Sequence, residues 1–200
     1  MGESAGIVLA AGSSTRMGQP KQLLVAAGKP LLEHVVEAAC ASRLDDVLVV
    51  LGAEAGLIRA GVRWGRARTI VNPDHAEGMS SSLRAGIAAL GPAVDRALVI
   101  LGDQPDVSAE LLDRLLEAQE ASRLPAAALS ISGLLHPPVV LSRGLWPDVM
   151  ALQGDVGCRQ IIRTRPDLVA TVDGDRAWGH PVDIDTPEDW LRYSSPARAR

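Results

Sequence analysis

The stretch GIVLAAGSSTRMGQPK, residues 6–21, contains the pattern that decides the fold. Its apolar start at 6–11 predicts a buried strand, and the glycine- and serine-rich loop that follows carries Arg16 and ends at Lys21. Small residues let backbone N–H groups approach a ligand, and such groups bind phosphate. The stretch therefore predicts a first strand followed by an anion-binding loop, although an ordinary strand-to-helix turn with surface charges has the same pattern.

Outward from this stretch, short apolar runs alternate with helical patterns. The alternation predicts a three-layer α/β/α fold with a Rossmann-like, mostly parallel mixed sheet. The predicted strands lie at 6–11, 47–51, 69–71, 97–101, 126–131, 139–141, 168–172 and 181–184. The predicted helices lie at 30–42, 53–61, 80–90, 108–121, 142–152, 157–164 and 186–193. We expect one domain over residues 1–193 and a frayed tail over 194–200.

Composition and charge exclude several classes of function. The net charge of −4 and the content of one tyrosine, four tryptophans and no phenylalanine argue against nucleic acid as a partner. No apolar run approaches the roughly 20 residues of a membrane-spanning helix. Cys40 and Cys158 cannot form a disulfide framework or a four-thiolate zinc site. We therefore expect a cytoplasmic protein that binds neither nucleic acid nor membrane.

An aspartate, Asp103, follows the apolar run at 97–101 within the motif Gly-Asp-Gln-Pro. Ligands of open α/β sheets bind beyond the carboxyl ends of the strands, where a carboxylate could hold Mg²⁺. The same four residues also favour a simple turn. A second pair of carboxylates, Asp183 and Asp185, flanks Ile184 and would share one face of a strand. They could complete a metal site, although Asp185 could instead only cap the helix that starts at Thr186.

Three further features are candidates for ligand binding. The helix start Gly78-Met79-Ser80-Ser81-Ser82 offers hydroxyl groups to a base, ribose or phosphate, or serves only as a redundant N-cap. His136 lies beside a predicted strand and could contact a second substrate, or be a structural histidine. Arg159, at the end of a glycine-rich turn, could bind a second anionic group or be solvated.

Five motifs occur in a fixed order along the chain. They are LAAGSSTRMGQPKQLL (9–24), GMSSSLRAG (78–86), GDQP (102–105), GDVGCR (154–159) and DIDTPEDW (183–190). Taken together, the motifs resemble the MobA-like nucleotidyltransferases, and within them the molybdenum cofactor cytidylyltransferase type. The resemblance covers residues 5–192. It implies the nucleotide-diphospho-sugar transferase fold, a nucleoside triphosphate bound with Mg²⁺, and attack by a phosphate of the second substrate on the α-phosphorus with release of pyrophosphate.

The resemblance also implies roles for individual residues. The catalytic residues would be Lys21, Arg16 and Asp103, and Mg²⁺ would be held by Asp103 and Asp183. The acceptor would contact His136 and Arg159. The nucleotide would be bound by Leu9, Ala10, Ala11, Gly12, Ser13, Lys21, Gly78, Ser82 and Asp103.

The forms of two motifs bear on the substrates. Guanylyl-transferring relatives usually have LAGG where this chain has Leu9-Ala10-Ala11-Gly12, so the resemblance favours CTP over GTP. One motif departs from the pattern: Gly-His-Pro is replaced by Leu135-His136-Pro137-Pro138 on the side expected to face the pterin. The expected reaction is transfer of CMP from CTP to the phosphate of molybdopterin cofactor, with a molybdenum hydroxylase as a possible client of the product.

Other functions remain open from the sequence. The nucleotide could be guanylyl, or the acceptor another phosphorylated small molecule such as a sugar phosphate or phospholactate. The chain could instead be a non-catalytic carrier of the finished dinucleotide cofactor, which would release no pyrophosphate. A fold diverted to redox chemistry on an aromatic substrate is a third possibility, which no cofactor motif in the sequence supports.

Overall fold

In the computed structural model, which describes residues 2–174 and 182–195, seven strands form one sheet and two further strands of two residues each form a separate hairpin. The strands are β1 (Glu3–Ala10), β2 (Val25–Ala26), β3 (Lys29–Pro30), β4 (Asp46–Leu51), β5 (Arg68–Val71), β6 (Val94–Leu101), β7 (Ala126–Ile131), β8 (Leu134–Ser142) and β9 (Val169–Asp173). The helices are α1 (Leu31–Ala41), α2 (Ala55–Gly61), α3 (Met79–Ala88), α4 (Ala109–Ser122), α5 (Trp146–Met150), α6 (Cys158–Thr164) and α7 (Pro187–Ser194).

The main sheet has the strand order β5-β4-β1-β6-β8-β7-β9. Every pairing is parallel except those of β8, which runs antiparallel to both β6 and β7. Adjacent residues of one strand enter opposite cores: Val8 packs on the side of α1, α2 and α4, and Ile7 on the side of α3, α5 and α6. The predicted three-layer α/β/α fold with a mostly parallel mixed sheet is therefore confirmed.

The carboxyl ends of β1 and β6 lie side by side, because the two strands pair in parallel up to Leu9 and Leu101. The Gly102 N–H donates to the carbonyl of Leu9, which keeps the chain in contact past the end of β6. A Cβ on Gly102 would lie 2.9 Å from that carbonyl oxygen, so glycine permits the close approach. The loop after β1 and the Gly-Asp-Gln-Pro turn after β6 are thereby brought to one edge of the sheet.

The predicted strand at 181–184 is wrong over residues 182–184, and position 181 lies outside the described residues. Residues 182–186 are irregular, and the Ile184 N–H donates to the carbonyl of Asp103 instead of joining the sheet. Ile184 is fully buried in a small apolar cluster with Leu24 and Leu31. Burial of this side chain therefore holds the segment in place without hydrogen-bonded strand pairing.

The structure also differs from the sequence prediction in two helices of the C-terminal half. The helix predicted over 142–152 is a 3-10 turn at Arg143–Leu145 followed by the short α5. The helix predicted to end at residue 193 continues to Ser194, and residues 196–200 of the predicted tail lie outside the described part of the chain. Within the described residues, no helix has both the length and the apolar character needed to span a bilayer.

Candidate active site at the carboxyl ends of β1 and β6

The loop after β1 is held in shape from inside by a buried glutamine. Gln22 is 3% exposed, and its Nε2 donates to the carbonyl oxygens of Ala10 (3.2 Å) and Gly12 (3.1 Å). The Lys21 N–H donates to Ser14 Oγ (3.1 Å), and Ser14 has a left-handed backbone with φ of 51°. Sequence reasoning passed over Gln22, although a polar residue between Lys21 and two leucines was a visible signal for a buried contact.

Lys21 lies between two carboxylates. Its Nζ is 2.6 Å from Asp103 Oδ2 and 2.7 Å from Asp185 Oδ1, and its side chain is 14% exposed. Arg16 Nη2 lies 3.2 Å from Asp185 Oδ2. The two cations predicted in the phosphate-binding loop are thus paired with carboxylates that come from the turn after β6 and from the segment before α7. In the described structure, these four side chains form one charged cluster.

Burial and charge act in opposite directions on this cluster. Burial lowers the pKa of Lys21, but Asp103 and Asp185 outweigh it, so the pKa is raised and Lys21 stays protonated. Burial raises the pKa of Asp103; the neighbouring Lys21 opposes this, and the carboxylates of Asp183 and Asp185 add to it. Burial also raises the pKa of Asp185, but Lys21 and then Arg16 lower it to below its usual range.

Asp103 has the features of a metal ligand. Its Oδ1 is buried and has no hydrogen-bond partner among the described residues, so one carboxylate oxygen is left unpaired. Asp183 lies beside it: Asp183 Oδ1 accepts from Gln104 Nε2 (2.7 Å), which aims the second carboxylate. Oxygen donors of this type fit a hard divalent cation, which takes its other ligands from phosphate and water. Within the residues described, no group of three or more metal-type side chains was found.

Asp185 is not a helix cap. The N-terminus of α7 is closed by a capping box, in which Thr186 Oγ1 accepts from the Asp189 N–H (3.2 Å) and Asp189 Oδ2 accepts from the Thr186 N–H (2.9 Å). Asp185 is therefore free to pair with Lys21 and Arg16, a role that the spacing of the motif did not reveal.

A cavity of about 790 Å³ joins the loop, the cluster and the start of α3. It is lined by the predicted donor-site residues Leu9, Ala10, Ala11, Gly12, Ser13, Arg16, Lys21, Gly78, Ser82, Asp103 and Asp183, and also by Asp185 and His75. Segments up to 176 positions apart in the sequence, from Leu9 to Asp185, thus meet in one concave site. Backbone donors, the cations of Lys21 and Arg16 and five carboxylate side chains line one cavity, and the carboxylates can hold the metal of a metal-bound polyphosphate.

A second cavity of about 640 Å³ adjoins the first and shares the side chains of Leu9, Leu101 and Asp183 with it. Much of its lining is apolar, and two arginines of α6, Arg159 and Arg163, lie at its wall. This cavity can accommodate a largely apolar, anionic molecule next to the first. Met79 and Asp155 also line both cavities.

The two residues predicted to contact the acceptor lie together. Arg159 Nη2 is 3.2 Å from His136 Nδ1, so the histidine orients the arginine. Of the pair, Arg159 lines the second cavity, and His136 does not. His136 follows Leu134 and Leu135 in β8, where the sequence departs from its expected motif.

The turn at 154–157 closes the start of α3 and lies between the two cavities. The Met79 N–H donates to Asp155 Oδ1 (3.3 Å), and the Ser80 N–H donates to the carbonyl of Gly154 (3.2 Å). None of the three serines caps α3 through its side chain, so the alternative of redundant N-capping is wrong. Gly78 has φ of 105°, and a Cβ there would lie 2.6 Å from the backbone of Gly154. Glycine is therefore required at this contact.

Comparison with known proteins identifies related chains over nearly the whole length. The model of the family described as MobA-like NTP transferase domain matches residues 6–172. Nicotine blue oxidoreductase of Paenarthrobacter nicotinovorans is 36% identical, with 94% of this chain and 94% of that protein covered. Purine catabolism protein PucB of Bacillus subtilis is 32% identical, with 92% and 93% covered. The structure of Rv0371c from Mycobacterium tuberculosis in complex with manganese has a TM-score of 0.82 at 27% identity, covering 96% of this chain and 98% of that one.

Proposed function

We propose that this chain, which belongs to the MobA-like NTP transferase family and is a nucleotidyltransferase, transfers CMP from CTP to the phosphate of a molybdopterin-type cofactor. One observation carries the proposal. The cavity that contains the anion-binding loop and the carboxylates shares five lining residues with a second cavity, whose lining is largely apolar and includes two arginines. Such an arrangement holds a triphosphate and a phosphorylated heterocyclic acceptor side by side.

On the donor side, the protein's own groups bind and neutralise the triphosphate. The exposed backbone of Gly12 and Ser13 offers N–H donors, and Lys21 and Arg16 offer positive charge close to them. Transfers at phosphorus depend on positioning and charge neutralisation more than on a protein nucleophile. Lys21 is protonated at neutral pH because its two carboxylate partners raise its pKa, so its charge is present when the substrate enters.

We assign Asp103 and Asp183 as the residues that hold Mg²⁺. The support is the unpaired, buried Oδ1 of Asp103 and the adjacent Asp183 carboxylate, together with the manganese complex of Rv0371c. The bound cation supplies charge neutralisation to the triphosphate. If Lys21 turns toward phosphate, both Asp103 and Asp185 lose its ammonium group, and Asp185 retains Arg16 as a partner.

On the acceptor side, we assign the second cavity to the pterin and Arg159, oriented by His136, to its anionic group. In the reaction, a phosphate oxygen of the acceptor forms a bond to the α-phosphorus of CTP. The bond between the α-phosphorus and the bridging oxygen breaks, and pyrophosphate leaves with its electron pair. The proposal includes a cytoplasmic location and a molybdenum hydroxylase as the recipient of the dinucleotide product.

The choice of CTP is supported by the form of the first motif, in which Ala10 and Ala11 precede Gly12. The first test is a thermal-shift panel with CTP, GTP, ATP and UTP, each with and without Mg²⁺. At 100 times its dissociation constant, a ligand stabilises by about 2.7 kcal/mol, a readily measured shift. A shift that requires both CTP and Mg²⁺ supports the proposal, and a preference for GTP changes the product to a guanosine dinucleotide.

Turnover is the sharper test. Wild-type protein with CTP, Mg²⁺ and molybdenum-loaded molybdopterin should release pyrophosphate in excess over enzyme, whereas a carrier releases none. Asp103→Asn should abolish release. Asp95→Asn is the matched control, because Asp95 is half exposed and pairs with Arg143 at the surface. Near-normal release by Asp103→Asn contradicts the metal assignment.

A second candidate function is redox turnover of an aromatic compound, which one observation favours: a relative 36% identical over 94% of the chain is named an oxidoreductase. The two functions differ in a measurable product. Redox turnover consumes a nicotinamide or flavin reductant and leaves CTP intact, whereas nucleotidyl transfer releases pyrophosphate without any reductant. Oxidation of NADH or NADPH in the presence of an aromatic substrate, with no pyrophosphate from CTP, would establish the second function and remove the first.

A further inference from the structure

A buried asparagine, Asn72, lies immediately after β5 and behind the start of α3. It is 2% exposed, and its own N–H donates to the carbonyl of Leu51 (2.7 Å). Its side-chain Oδ1 accepts from the Asp74 N–H (3.0 Å). Because a backbone N–H can bond only to an acceptor, this contact fixes which end of the amide is oxygen. The Nδ2 group must therefore point the other way, toward α3.

Asn72 Nδ2 donates its two hydrogens to two neighbouring serines of α3. It donates to Ser81 Oγ (2.8 Å) and to Ser82 Oγ (3.0 Å). The Ser81 hydroxyl donates in turn to the carbonyl oxygens of Asp74 (2.8 Å) and Gly78 (2.9 Å). Ser81 thus uses its hydrogen within the protein and ties the loop before α3 to the helix.

Ser82 differs from Ser81 in one respect. Its Oγ accepts from Asn72, and within the described residues its hydroxyl hydrogen has no acceptor. Ser82 lines the 790 Å³ cavity, whereas Ser81 does not. A hydroxyl has a single hydrogen, and one that accepts from a buried amide directs that hydrogen elsewhere. Because Ser82 lines the cavity, its hydrogen is available to a ligand there.

We propose that Asn72 is a positioning residue that makes Ser82 a hydrogen-bond donor toward the bound nucleoside, so that the atom opposite Ser82 is an acceptor oxygen or ring nitrogen. This inference rests on the proposed function, because it takes the cavity to be the nucleotide site. A group at that position that carries a hydrogen, such as a ring N–H, could bond only to the remaining lone pair of Ser82 Oγ, so an acceptor is favoured there. Asn72 thereby contributes to nucleotide selection without touching the nucleotide.

Two serine variants form a matched pair for the test. Ser82→Ala removes the donor into the cavity, and we expect CTP affinity, measured by calorimetry with Mg²⁺, to fall about 5- to 10-fold. Ser81→Ala removes the hydrogen bonds to Asp74 and Gly78, so we expect it to lower the urea midpoint more than Ser82→Ala does and to change CTP affinity less than 2-fold. Steady-state kinetics should show a raised KM for CTP and an unchanged kcat in Ser82→Ala alone.

Asn72→Asp tests the direction of the hydrogen bond. The aspartate retains the shape and can still accept from the Asp74 N–H, but at the Nδ2 position it accepts instead of donating, so the Ser82 hydrogen turns away from the cavity. We expect the same 5- to 10-fold loss of CTP affinity as in Ser82→Ala, and no further loss in the double variant. Losses that multiply in the double variant overturn the inference.

The outcomes separate this inference from the proposed function. If wild-type protein binds no nucleoside triphosphate, the proposed function fails, and the inference fails with it. If wild-type binds CTP and the two serine variants lose affinity equally or not at all, the inference alone fails. If Asn72→Asp does not fold, the serine pair still decides. A loss in Ser82→Ala that persists with 2′-deoxy-CTP assigns the acceptor atom to the base, and one that disappears assigns it to the ribose.

Discussion

Replacing Lys21 with methionine removes the cation between Asp103 and Asp185 while retaining much of the side chain's apolar volume. We expect the unliganded protein to lose stability, because two carboxylates then face each other with Asp183 nearby and without a shared partner. Breaking a buried ion pair costs about 3–5 kcal/mol, and an exposed pair contributes about 0–1 kcal/mol. The side chains of Lys21 and Asp103 are 14% and 20% exposed, so we expect a loss of about 2–3 kcal/mol at pH 8.

The loss should depend on pH in a defined direction. Lys21 opposes the rise in the Asp103 pKa that burial causes, so its removal raises that pKa further. A carboxyl whose pKa is higher in the folded than in the unfolded protein destabilises the fold when ionised, and stability returns as pH falls through the folded pKa. The deficit of Lys21→Met against wild type should therefore be larger at pH 8 than at pH 5.

Urea unfolding at the two pH values measures the deficit. Lys29→Met is the matched control, because Lys29 Nζ lies 2.5 Å from Glu37 Oε2 at the surface, with both side chains more than a third exposed. We expect the control to change the free energy of unfolding by less than about 1 kcal/mol at either pH. A deficit in Lys21→Met that is the same at pH 5 and pH 8, or no larger than that of the control, would refute the reasoning.

Three further changes have expected outcomes. Gly78→Ala should destabilise by more than about 1 kcal/mol in urea, since φ is 105° and a Cβ lies 2.6 Å from backbone, whereas Gly91→Ala, with open space around it, should be close to neutral. Thr186→Ala removes one half of the α7 capping box, so the free energy of unfolding, measured in urea by far-UV circular dichroism, should fall by about 1 kcal/mol. An unchanged free energy of unfolding contradicts the cap. Hydrogen bonds from Arg63 lower the pKa of the buried Glu33, so Glu33→Gln should cost about 1–2 kcal/mol at pH 7. That cost should vanish as pH falls below the lowered pKa, and a pH-independent cost would rule out the ion pair as its source.

The sequence was most informative where burial and backbone geometry are both local. Continuous apolar runs such as 47–51 and 97–101 predicted the central parallel strands, because these are covered by helices on both faces. The Gly-Asp-Gln-Pro turn predicted a carboxylate at the end of one of them. The parallel pairing of β1 with β6 then sufficed to bring Asp103 to the loop that carries Lys21.

Contacts that join distant segments could not be predicted in the same way. The pairing of Lys21 with Asp185 spans 164 positions, and no periodicity records it. Gln22 and Asn72 are buried polar residues whose partners are backbone or helix groups fixed only by the completed fold. The segment 182–184 has the composition of a strand, but Ile184 finds its burial in an apolar cluster outside the sheet.

The turn at 154–157 is a shared wall, because it contacts the start of α3 and its Asp155 lines both cavities. A ligand in one cavity that shifts or orders this wall changes the free energy of binding in the other. Thermodynamic linkage makes that change reciprocal: the factor by which a ligand of the second cavity alters the affinity for a ligand of the first equals the factor by which the first ligand alters the affinity for the second. A substitution in the turn that shifts this wall therefore changes the dissociation constants of the ligands in both cavities. A substitution that alters acceptor preference in this way also alters nucleotide affinity.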